Sequence, residues 1–111
     1  MNLQQVREIA LSLPEVNEEP HFQFTSFRVK GKIIATSPPG EEFLHVFIPD
    51  SERDQAIALN PQCVEKLLWG SKVAGVKVTL SAAKSTLIKQ LLLQAWANKA
   101  PKTLVAQYRK A

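Results

Sequence analysis

Five cations are the side chains whose types and spacing suit chemistry best. Arg28, Lys30 and Lys32 recur at every second position of F-Q-F-T-S-F-R-V-K-G-K-I-I-A-T, and Lys72 and Lys77 bracket a second apolar run, K-V-A-G-V-K. Residues two apart on an extended strand project to one face. Arg28 and Lys30 therefore share a face, and Lys32 joins them across a turn if the register allows. Lys72 and Lys77 complete the set if their strand belongs to the same sheet. Guanidinium and ammonium groups in such an array bind phosphates and release condensed counterions. No helix presents Asn, Gln and Arg in a base-reading array, so the binding expected is phosphate-dominated and weakly sequence-specific.

Other candidates carry less. Cys63 with His21 or His45 would make a nucleophile and base, but a lone thiol in an apolar setting is more often structural. His45 would suit a metal, yet no second histidine is near it in sequence. Glu18 and Glu19 are adjacent carboxylates in a polar segment, where solvation is the ordinary outcome. Trp69 would anchor a protein partner or plug the core, and Trp96 belongs to the core. H-E-x-x-H, G-x-S-x-G, the P-loop and the Rossmann glycine pattern are all missing. The expectation is a binding protein rather than an enzyme, with no metal or cofactor.

Elements of regular structure must position these groups. Asn2 with Gln5 forms a capping box for a first helix, whose Leu3, Val6, Ile9, Ala10 and Leu13 recur at helical spacing. Leu13-Pro14 ends it, and Pro14–His21 reads as a polar, acidic connector. Phe27 and Val29 face one way on the next strand. Gly31 permits reversal at positive φ, and Lys32–Thr36 return. Ser37-Pro38-Pro39-Gly40 is a turn, and Phe43–Ile48, apolar on both faces, reads as a central strand.

A short helix follows, capped by Asp50 or Ser51 and ending near Leu59. Cys63–Trp69 is open between helix and strand. Lys72–Leu80 reads as a strand with Ala74, Val76, Val78 and Leu80 inward. Ser81 then caps a long helix to about Lys99, striped by Leu87, Ile88, Leu91, Leu92, Ala95 and Trp96. Pro101 opens a last helix carrying Leu104, Val105 and Tyr108.

The composition bounds the class. A chain of 111 residues, 45% hydrophobic and 22% charged, suits one compact domain spanning residues 1–111. One cysteine excludes an internal disulfide, no apolar run spans a membrane, and the opening M-N-L-Q-Q-V-R-E lacks a signal-peptide pattern. Together these lead us to expect a cytoplasmic protein that makes no membrane contact. The net charge of +4 is unevenly distributed: residues 1–65 hold five basic and ten acidic groups, residues 66–111 nine basic and none acidic. Such a split points to an anionic partner, DNA first, unless the lysines merely solvate separate surfaces.

The segments L-S-L-P-E-V-N-E-E-P-H-F, S-F-R-V-K-G-K-I-I-A and W-G-S-K-V-A-G-V-K-V-T-L, in this order and spacing, resemble the MmcQ/YjbR-like family. The resemblance covers nearly the whole chain. It implies an α+β fold similar to the frataxin/CyaY arrangement, an antiparallel sheet with helices on one face, and a DNA-binding role described as a double-wing motif. Iron handling does not carry over, because the first helix has only Glu8 rather than an acidic ridge. Where the family usually places a tryptophan after W-G-x-K, this chain has Ala74, which would weaken any ligand that stacks there. The alternative function is a protein-interaction or small-ligand-binding module.

Overall fold

A computed structural model describes residues 1–110 as an α+β domain: a six-stranded antiparallel sheet with helices packed on one face. Helix α1 (Leu3–Leu11) opens on the Asn2/Gln5 capping box and buries Leu3, Val6 and Ala10. Strand β1 (Val16–His21) follows, a correction to the connector expected there. It was hidden because V-N-E-E-P-H has no apolar alternation. As an edge strand it needs none, since backbone pairing to β2 holds it, and an edge tolerates Pro20. Arg7 of α1 clamps Glu18 of β1 through two hydrogen bonds of 2.6 and 3.1 Å.

Strands β2 (Phe24–Val29) and β3 (Lys32–Ser37) form the expected hairpin, with Val29 opposite Lys32. Both loop residues have positive φ, +49° at Lys30 and +82° at Gly31. That is the sign pattern of a type I′ turn, whose twist matches that of the flanking strands. Strand β4 (Phe43–Val46) sits centrally, between β3 and β6. Helix α2 (Asp50–Leu59) starts after Pro49 rather than at a side-chain cap. The open segment is extended: β5 (Val64–Trp69) pairs with β6 (Lys72–Thr79). The sheet order is β1-β2-β3-β4-β6-β5.

After β6 a turn of 3₁₀ helix, Leu80–Ala82, carries the buried Leu80 into the core and delays the long helix. Helix α3 (Ser85–Lys99) therefore starts three residues later than a Ser81 cap would place it, and no side chain caps it. Its stripe is as expected: Ile88, Leu91, Leu92, Ala95 and Trp96 are buried. Trp96 is fully covered, and its indole Nε1 donates to the Pro14 carbonyl at 2.9 Å. Burying side chains of this size contributes about 1.5–3 kcal/mol each. Helix α4 (Lys102–Lys110) lays Tyr108 against Trp96, with ring centroids 5.0 Å apart.

Register separates the two faces of the sheet, because residues directly opposite in adjacent strands share a face. One row across all six strands reads Glu18, Phe27, Ala35, Val46, Val76, Lys66. It is apolar in the middle, under the helices, and charged at both edges, which discourages edge-to-edge pairing. The adjacent row reads Glu19, Ser26, Thr36, His45, Lys77, Glu65 and belongs to the face without helices.

Candidate functional site

Polar along the row from Glu19 to Glu65, the helix-free face carries apolar and aromatic side chains that flank that row. Phe24 lies opposite His21 on it, and Ile33 opposite Arg28. Phe43, His45 and Phe47 alternate along the β4 path. At the far edge Trp69 stands opposite Lys72. A bulge in β6 alters the expected alternation: Leu67 pairs with Gly75 and Leu68 with Val73, which leaves Ala74 as the extra residue. Ala74, expected inward, thereby comes to line a groove with Phe47 and Trp69.

That groove has a volume of about 660 Å³. Five ring-bearing side chains line it, His21, Phe22, Phe24, Phe47 and Trp69, over a floor of Ile33, Thr36 and Ala74. Two cations, Lys32 and Lys99, also line it; among the described residues no Asp or Glu does. The rings form two groups. His21 and Phe22 meet edge to face at 4.9 Å between centroids, and Phe47 and Trp69 do so at 5.4 Å. The β1–β2 and β5–β6 turns that carry Phe22 and Gly70 lie at opposite ends of the sheet, so the groove crosses it diagonally. Phe22 is 92% exposed and Trp69 60% exposed. The tryptophan that either gripped a partner or plugged the core is thus at the surface.

The five expected cations divide. Arg28 lies flat on this face: its Nε donates to Ser26 Oγ at 3.1 Å and its Nη2 to His21 Nδ1 at 3.2 Å. Because arginine can only donate, His21 Nδ1 is the acceptor in this contact. Lys32 lines the groove, and Lys72 is exposed at the Trp69 corner. Lys77 shares the face, but its ammonium sits 4.1 Å from the centroid of the Phe43 ring, and Glu65 is its cross-strand neighbour. Lys30 departs from the expected array. It sits in the turn, off the strand, with Nζ 3.7 Å from Glu15. Acidic groups of residues 1–65 thus return beside two of the five cations, and the charge split along the chain is only partly a split in space.

Lys99 was not among the residues singled out from the sequence, nor were Phe22, Phe24 and Phe47 as a group. The F-Q-F repeat was the one signal for Phe22 and Phe24. Lys99 reaches the groove from the end of α3, a juxtaposition no local pattern encodes.

The chemistry-bearing residues elsewhere are accounted for by packing. Cys63 is buried in the core, and burial pushes its thiol up from its ordinary pKa, the opposite of what activates a nucleophile. His45 is held below its ordinary pKa by burial first and by nearby Lys77 second, and its buried Nδ1 has no hydrogen-bond partner. Glu18 is engaged by Arg7. Among the described residues no three His, Cys, Asp or Glu side chains gather as a metal site would need, and no helix is long and apolar enough to cross a membrane.

A family model described as YjbR matches residues 11–98. Among solved structures, the chain is similar to Deinococcus radiodurans protein DR2400, which carries the family-model domain DUF419. That likeness has a TM-score of 0.75 at 19% identity, over 87% of this chain and 77% of that one. At such an identity the likeness is one of fold. No curated protein matches the chain.

Proposed function

The chain belongs to the YjbR family, and on that footing we propose that it is a nucleic-acid-binding protein, DNA the first candidate, that acts without catalysis through the helix-free face of its sheet. One observation carries the reading: a groove that combines five ring side chains with two lysines and, among the described residues, no carboxylate. A nucleic acid offers the complementary pair of features, phosphates for the cations and flat rings for the aromatics. A carboxylate in the groove would repel the phosphates, so the placing of Glu19 and Glu65 on the outer strands leaves the middle of the face open to an anion.

Contacts are phosphate-dominated and weakly specific, since no side-chain array here reads base edges. Of the cations, Arg28, Lys32, Lys72 and Lys99 are the principal contacts. Lys30 and Lys77 contribute less, because Glu15 holds one and the Phe43 ring holds the other. A second reading, a site for a small aromatic anion, is favoured by the groove volume, which lies within the range of about 300–1,000 Å³ usual for such ligands.

The test is a titration of short duplex and single-stranded oligonucleotides at two salt concentrations. Log affinity should fall with log salt by about 0.7–0.9 per phosphate contact. Lys32→Ala should lower that slope by roughly one contact, and Lys30→Ala should leave it nearly unchanged. Failure to bind at low salt, or binding that survives joint replacement of Arg28, Lys32, Lys72 and Lys99, would remove the proposal.

A further inference from the structure

We infer that the groove takes a single strand, with unpaired bases stacked on Phe22 at one corner of the sheet and Trp69 at the other; this rests on the nucleic-acid reading above. The two residues are the exposed ends of the ring groups, at 92% and 60% exposure. Neither is positioned by the needs of the core, since both lie outside it.

Phe22 adds a second, independent observation. Its backbone has φ +58°, in the left-handed region that a bulky side chain rarely adopts. Glycine would fit that turn without strain, and an exposed phenylalanine gains almost nothing from burial to offset it. Glu15, Lys30 and Glu41 share that region at turns of their own, so the backbone alone marks a turn; what sets Phe22 apart is a large apolar ring left exposed there. A ring held out at the mouth of an aromatic groove is placed to meet another ring.

The shape of the face selects between nucleic-acid forms. A duplex keeps its base faces stacked on one another and is read by an element inserted into a groove. The helices of this protein lie on the opposite face of the sheet, the tip of the β2–β3 hairpin has its Lys30 beside Glu15, and what faces solvent here is a set of rings on strands and at a turn. Rings on an open surface stack on splayed, unpaired bases, and that stacking tolerates any sequence. The cations are spaced to follow the backbone of such a strand. Arg28 sits beside His21, Lys32 and Lys99 line the groove, and Lys72 stands opposite Trp69. Six strands at about 4.8 Å spacing put the two corners about 24 Å apart across the sheet, so one ligand must run several nucleotides to reach both.

The experiment compares an oligothymidylate of about twelve nucleotides, a duplex of the same length and thymidine monophosphate, using the whole protein at one low salt concentration. Binding is followed by anisotropy of the labelled oligonucleotides and by intrinsic fluorescence. Trp96 is buried, so quenching reports Trp69. The single strand should bind at least about tenfold more tightly than the duplex and quench Trp69. Phe22→Ala and Trp69→Ala, both at exposed positions outside the core and each checked for folding by thermal denaturation, should each weaken it roughly 5- to 150-fold without altering the salt slope. Equal affinity for the duplex, or aromatic variants that bind normally while Lys32→Ala still lowers the slope, would overturn the single-strand inference and leave nucleic-acid binding standing. Monophosphate binding as tight as the oligomer would overturn it in favour of a free-nucleotide site. No binding to either oligonucleotide would overturn both readings together.

Discussion

The backbone of Gly75 lies so close to Val46 that a Cβ on it would stand 2.2 Å from the Val46 carbonyl oxygen. The neighbouring Phe47 Cα would be 3.1 Å away. Backbone cannot yield as a flexible side chain does, so β6 lies tight against β4 only because residue 75 has no side chain. The bulged Ala74 beside it forms part of the groove floor. Gly75→Ala should destabilise the protein by about 1–3 kcal/mol, the range for overpacking. Chemical denaturation measures it, and a loss below about 0.5 kcal/mol, ordinary for a surface substitution, would mean that the two strands are further apart than described.

Phe22→Gly should separate stability from binding. At φ +58° glycine removes the left-handed strain, worth roughly 1–2 kcal/mol, while its extra unfolded-state entropy costs about 0.5–1 kcal/mol. The variant should be as stable as the parent or up to about 1.5 kcal/mol more so, and should bind the single strand less tightly. Thermal denaturation and the anisotropy titration together check this. A clear loss of stability would show that the edge contact of the Phe22 ring with His21 outweighs the backbone strain.

His45 makes stability depend on pH. Its native pKa lies below the ordinary 6.5, first through burial and second through Lys77. The unfolded chain therefore takes up the proton first as pH falls, and stability drops through the window from about 6.5 down to the lowered native value. Above that window the contribution is fully present. His45→Gln should flatten the difference in denaturation midpoint between pH 8 and pH 5, relative to the parent, while other titrations remain common to both. An unchanged difference would mean that His45 is solvated in the native state.

Much of the architecture was legible from local pattern. The α3 stripe of Ile88, Leu91, Leu92, Ala95 and Trp96 needs only the 3.6-residue period and a core to face. The turn at Gly31 needs only a residue that accepts positive φ between two alternating runs. Strand β1 was not legible, since an edge strand held by backbone pairing leaves no mark of burial in its side chains.

What local pattern determined was therefore which residues are cationic or aromatic and which way each alternates within its own strand. Which of them meet was decided by the tertiary structure. Strand order placed β6 between β4 and β5, and the bulge at Ala74 turned one residue out of the core into the groove. The same order brought Glu65 back opposite Lys77, and the turn brought Glu15 to Lys30, so the charge asymmetry of the chain was diluted in space. Phe22, Phe47, Trp69 and Lys99 share one groove although 77 positions separate the first from the last. A side chain's period is a property of its own few neighbours, whereas a surface depends on register between strands far apart in the chain, and only the folded sheet sets that register.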